Sequence, residues 1–117
     1  MKIKDIKFKA KSILDVAWVQ GDLIHKEDGK IAILRNGFNV SEVDPSTVCQ
    51  YTGLADCEGK ELFEHDLIHF VWFTHTAEVI WSECNYAFMV VSENKHSYWL
   101  HDVIKVCRIE RIGNKFD

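Results

Sequence analysis

His65, Asp66, His69 and His75 are the densest run of side chains that could bind a metal or move a proton. A zinc ion needs several nitrogen, sulfur or carboxylate donors within ~2.0–2.3 Å of one point. On an extended strand His65 and His69 share a face while Asp66 points to the other. At ~3.3 Å per residue the two imidazoles then stand about 13 Å apart. A single strand therefore closes no metal site from them, and solvated or hydrogen-bonded histidines are expected. The four cysteines, Cys49, Cys57, Cys84 and Cys107, include no C-x-x-C pair. A thiol nucleophile needs a base in contact with it. Nothing in the sequence brings Cys84 or Cys107 to His96 or His101. There is no G-x-x-x-x-G-K-[ST] loop, and the Gly53 to Gly59 stretch lacks the lysine-serine ending and following helix that phosphate binding requires. These residues predict no catalytic, cofactor-binding or metal-binding site, and so no enzyme.

The elements that carry these residues read as strands. Ile6, Phe8 and Ala10 alternate with Lys7, Lys9 and Lys11, the signature of a half-buried strand with a lysine face. Lysines on an edge strand discourage sheet-to-sheet aggregation. That role is preferred here over contact with a phosphate backbone. Val16–Gln20 and Leu23–His25 form a second strand with a bulge or bend at Gly21–Asp22. A hairpin turn at Glu27–Lys30 leads to a return strand, Ile31–Leu34. Asn36–Gly37 is a type I′ signal, needing positive φ at both positions. Ser41–Thr47 reads as a connector with one helical turn at Asp44–Pro45. Asp56–Gly59 fits a type I turn. Further strands are expected at Val48–Tyr51, Leu62–Phe63, Leu67–Phe73, Ala77–Trp81, Tyr86–Val91, Ser97–Leu100 and Ile109–Ile112, with a short turn or 3₁₀ piece at Asp102–Cys107 and a break at Gly113. Short strands at roughly ten-residue spacing, with no sustained 3.6 period, predict a mainly β small barrel or curled sheet.

The aromatic residues are the remaining candidates for function. Neighbours along a strand face opposite ways, so Trp72 and Phe73 cannot share a face, nor can Tyr98 and Trp99. Some of Trp72, Phe73, Trp81, Tyr98 and Trp99 should therefore be exposed and form an interaction surface.

At 117 residues and 47% hydrophobic, the chain suits one soluble domain. No stretch approaches the ~20 apolar residues that span a bilayer. The N-terminus lacks the apolar core of a secretory signal. The cysteines are therefore expected to be reduced and buried as small hydrophobes. Charge is uneven: residues 1–11 carry +4 and the remainder −8. An acidic body disfavours general nucleic-acid binding, which draws its affinity from neutralising phosphates.

Gln50–Tyr51–Thr52–Gly53–Leu54, Asp56, Gly59–Lys60–Glu61, Glu64 and Asp66–Leu67–Ile68 resemble the pattern "QYTGLKDKNGKEIYEGDIV" of the YopX family of phage and prophage proteins. Ile6–Lys9 is similar to the family's "IKFR", Trp18–Leu23 to its "WVYGDL" and Ile112–Asn114 to its "IGN". His65 stands where the family usually has Gly, and Cys57 where Lys is common. If position 65 needs positive φ, His is a costly occupant. The resemblance implies a β-rich N-terminal hairpin part (residues 1–46) and a small SH3-type barrel part (residues 47–117) within one domain. It also implies phage or prophage origin, action in the bacterial cytoplasm and no carried-over catalytic residue. The functional expectation is a non-enzymatic interaction or self-assembly module without cofactors. It would form homo-oligomers or bind a phage or host protein. The alternative is a nucleic-acid accessory using aromatic stacking and the N-terminal lysines.

Overall fold

The computed structural model describes residues 2–71 and 75–117. Eleven strands are present among them: β1 (Phe8–Lys11), β2 (Trp18–His25), β3 (Ile31–Arg35), β4 (Asn39–Val43), β5 (Cys49–Ala55), β6 (Glu61–Phe63), β7 (Asp66–Phe70), β8 (Thr76–Ser82), β9 (Ala87–Ser92), β10 (Ser97–Trp99) and β11 (Ile109–Asn114). One α-helix, α1 (Leu100–Val106), and two 3₁₀ turns, Ile3–Asp5 and Pro45–Thr47, complete them. The chain is mainly β, and its strands pair in two antiparallel sheets. It divides into two units, Met1–Tyr51 and Thr52–Asp117.

In the first unit the strand order is β4-β3-β2-β1, followed by the first half of β5. β2 serves two neighbours: Trp18 to Gly21 pair with β1 and Asp22 to His25 with β3. Gly21 sits at the change of partner. A Cβ there would lie 2.0 Å from the Leu34 carbonyl oxygen, so only glycine lets the two backbones meet. The sheet curls until the end of β1 reaches β4. Ser12 bridges Val43, the Ile13 N–H donates to the Glu42 carbonyl (3.1 Å) and the Asp44 N–H donates to the Lys11 carbonyl (2.9 Å). Ala10, Val19, Ile33 and Val43 form the core, with Phe8, Leu23, Ile31 and Val48 packed against it. The Asn36–Gly37 turn has φ of +53° and +79°, as its residues demand. Asp44 caps the Pro45–Thr47 turn by accepting the Ser46 N–H at 3.0 Å.

This arrangement corrects the reading of the lysine strip. β1 is an interior strand, flanked by β2 and β5 (Lys9↔Gln20 and Lys9↔Cys49), so its lysines guard no edge. Lys9 is buried. The Lys9 and Lys11 ammonium groups both sit over the Trp18 ring, at 4.6 and 4.8 Å from its centroid, and Lys7 lies over Tyr51 at 4.7 Å.

In the second unit the end of β5 neighbours β6, and the larger sheet runs β10-β9-β8-β7-β11. No pairing between β10 and β11 closes it into a barrel among the described residues. Leu62, Ile68, Ala77, Val79, Val90, Leu100, Val103 and Ile109 form the core. α1 replaces the expected turn at Asp102–Cys107 and starts two residues earlier. It buries Leu100 and Val103, one turn apart, and leaves Val106 outside. Gly113 does not end β11: the register with β7 shifts between Arg111 and Gly113, bulging Ile112 outwards. The outer side of β11 is covered locally, because the Cys57 N–H donates to the Ile109 carbonyl and the Arg111 N–H to Asp56. Of the cysteines, all free, only Cys49 is buried; Cys57 and Cys84 are exposed and Cys107 half-buried, against the expectation of uniform burial.

Candidate functional site

The motif residues in the middle of the chain take part in strand pairing and turns. Gln50 pairs with Phe8 across β1 and β5, and the Tyr51 N–H donates to the Lys7 carbonyl at 2.9 Å. The Thr52 hydroxyl donates to the Leu62 carbonyl (2.7 Å) and accepts the Leu54 N–H (3.1 Å), arching over Gly53, whose φ is +83°. Gly59, at +84°, closes the β5–β6 turn.

Asp66 is fully buried, yet its carboxylate meets donors from separate parts of the chain. Oδ2 accepts the Phe63 N–H at 2.7 Å and Arg111 Nε at 3.1 Å, and Oδ1 accepts Asn114 Nδ2 at 2.9 Å. Asn114, also buried, accepts the Phe116 N–H. A second buried carboxylate, Asp56, takes the N–H groups of Glu58, Lys60 and Arg111 at 2.8–2.9 Å. Burial alone raises the Asp56 pKa. The three backbone donors and the nearby Lys60 charge outweigh it, so Asp56 titrates below its ordinary value. The two carboxylates hold β11 through Arg111 and have their hydrogen-bonding capacity taken up by the fold, which suits a lock rather than a reaction centre.

The histidine cluster disperses. His65 lies in the β6–β7 turn with φ +69°, so the conformation that favours glycine is indeed required there. Its Nδ1 meets Glu78 at 2.8 Å, Nε2 lies 3.9 Å from Glu64, and its ring packs edge-on against Phe116. His69 Nδ1 is buried and faces Glu110 only at 4.0 Å. Among the described residues no three His, Cys, Asp or Glu side chains converge as a metal site.

Of the candidate interaction surface, Trp72 and Phe73 lie outside the described residues. Trp81, Tyr98 and Trp99 are 38, 46 and 39% exposed. Side chains of directly paired residues share a face. Trp81 opposes Phe88, and Tyr98 opposes Val90, which in turn opposes Val79. This places Trp81 and Tyr98 on the core-bearing face. Trp99 opposes Met89 and lies on the other face. The three rings are therefore not one patch. Trp81 packs edge-on against Phe88, and Trp99 against His101.

Tyr98 belongs instead to a feature the sequence did not disclose, a concave pocket of about 450 Å³ lined by Phe70, His75, Ser92, Asn94, His96, Tyr98, Val103, Val106 and Cys107. α1 supplies one wall and the strand ends the other. The volume is within the usual range for ligand pockets, ~300–1,000 Å³. Cys107 and two histidines do meet here, but among the described residues no hydrogen bond joins them. The Ser92 hydroxyl is engaged with Asn94 and the His96 carbonyl. What remains open to a guest is chiefly apolar surface. The pocket was hidden because it needs α1, which has only two buried positions and no readable period.

No curated protein matches this chain. The family model described as YopX protein matches residues 3–117, from the first 3₁₀ turn to the last residue. With the Gln50–Leu54 arch, the positive-φ turn before Asp66 and the Asn114 lock all inside that match, the chain belongs to the YopX family.

Proposed function

We propose that this protein is a non-enzymatic interaction module of phage or prophage origin, acting in the cytoplasm of the bacterial host as a homo-oligomer or on a phage or host protein. The observation that carries this reading is the apolar pocket beside Tyr98, next to the edge strand β10, all three of whose residues are exposed. Its use would be that of an SH3-type barrel, with a curled sheet offering a shallow aromatic-lined groove to a partner's side chains. The bonded state of Asp56, Asp66 and Ser92 argues against catalysis, since the best-placed polar groups already serve the fold.

The lysine–aromatic ladder of the first unit is the observation behind a nucleic-acid role. Lys9 and Tyr51 are buried, and the Trp18 ring faces two ammonium groups, which leaves little free aromatic surface for stacking a base. The protein-partner reading is therefore preferred. Light scattering on the full chain checks it: self-association at micromolar concentration is expected. A strict monomer that shifts single-stranded DNA or RNA in a salt-dependent manner would reverse the preference.

A further inference from the structure

The five-stranded sheet of the second unit treats its two edges differently. At β11 the outward backbone groups are taken up locally: the Ile109 carbonyl accepts the Cys57 N–H (3.0 Å), and the Arg111 N–H donates to Asp56 (2.8 Å). At the opposite edge no strand among the described residues pairs with the outer side of β10. An open edge is normally protected from pairing by a lysine, a proline or a bulge. β10 is Ser97–Tyr98–Trp99, with no charge, no proline and an unbroken register with β9. All three residues are exposed, Tyr98 and Trp99 at 46 and 39%.

The register fixes which groups face outwards. The Ser92 N–H donates to the His96 carbonyl at 2.8 Å, so His96 turns its backbone towards β9. Bonded and non-bonded pairs alternate along an antiparallel ladder. Tyr98, opposite Val90, therefore also bonds to β9, while Ser97 and Trp99 turn their groups outwards. The Trp99 carbonyl serves the first turn of α1. The Ser97 N–H, the Ser97 carbonyl and the Trp99 N–H are left as an open row, and such a row recognises another extended backbone.

We infer that β10 pairs antiparallel with β10 of a second copy of the chain, about a two-fold axis at Tyr98. The inference rests on the reading of the protein as a self-associating module and names the surface. In this register the Trp99 N–H of each copy donates to the Ser97 carbonyl of the other. Tyr98 faces Tyr98 of the second copy in a non-bonded pair, where side chains approach most closely, and each half-exposed ring covers the other. An axis at Ser97 would instead set Trp99 against Lys95, which lies outside β10 at φ +69° with its N–H bonded back to Ser92. The uncharged strand does not repel its copy. Both copies use the same surface, so the contact closes as an isologous dimer. Three residues a side make a small interface, of the class below about 1,200 Å² that gives weak, reversible association.

Tyr98→Lys and Tyr98→Glu test this on the full chain, since Tyr98 lies outside the core cluster. Light scattering should show the parent associating and each variant alone weakened about tenfold or more, because like charges would meet across the axis. Mixed one to one, the two variants should recover a dimer, which happens only if position 98 faces itself. A mixture that stays monomeric would overturn the inference. Parent-like association of either variant alone would overturn it too, and would leave self-association standing on another surface. A parent monomeric at every concentration would defeat both. Tyr98→Cys gives a readout that needs no added charge: a non-bonded pair, with Cα atoms about 4.5 Å apart, lies within disulfide reach. Mild oxidation should trap a covalent dimer several-fold faster than in the parent, whose exposed Cys57 and Cys84 set the background. Trapping no faster than the parent would overturn the pairing.

Discussion

Asp66 shows how a buried charge becomes a fastener. Its donors include Phe63 just before it and Arg111 and Asn114 near the end of the chain. Removing it in Asp66→Ala would strand those donors, and a loss of about 3 kcal/mol in denaturant unfolding is expected. Asp56 gives a signed dependence on pH. Its pKa is depressed in the folded state, so its stabilisation is complete above the unfolded value, about 3.9, and is lost as pH falls through the lower folded value. Asp56→Asn should flatten the acid limb of the stability–pH curve and change little of its shape near neutrality. At position 65 the backbone and side chain can be separated. His65→Gly relieves about 1 kcal/mol of left-handed strain and loses a part-buried hydrogen bond with Glu78 worth about 0.5–1.5 kcal/mol. His65→Ala loses the hydrogen bond without relieving the strain, so the Gly variant should be the more stable by about 1 kcal/mol. Equal midpoints would contradict the strain. The need for positive φ here was legible through the family pattern, as was the Asn36–Gly37 turn through its residues. The convergence of Asp66 with Arg111 and Asn114 was not, because a hydrogen bond spanning some fifty residues leaves no local pattern.

The strands were readable because alternation is a local property of a half-buried surface. What alternation omits is the identity of the neighbours. Lys7, Lys9 and Lys11 do share a face, but whether that face lies at an edge depends on Cys49–Gln50 returning beside β1, a pairing forty residues away. α1 escaped notice for a related reason: two buried residues in seven make no period, and the pocket wall went with it. Gly21–Asp22 was read as a bulge or bend. It is instead the point where β2 changes partner within a continuous strand and where the Leu34 carbonyl leaves no room for a Cβ. Gly21→Ala should cost about 3 kcal/mol or prevent folding of the first unit. Parent-like stability in that variant would show that β2 and β3 can move apart cheaply.

For the molecule as a whole, each unit has its own core. The first unit exposes Ile13, Leu14 and Val16, and the second holds the pocket lined in part by His75, His96 and Cys107. Opposite-facing Tyr98 and Trp99 were correctly separated by sequence reasoning. The choice of Tyr98 as a pocket residue, and of Trp99 as a neighbour of His101, required the three-dimensional path of α1. The proposal that the chain self-associates is tested most directly by sedimentation velocity of the full chain across the micromolar range. The account predicts a sedimentation coefficient that climbs with concentration beyond that of a 13.6 kDa monomer. A single monomeric boundary at every concentration would contradict it.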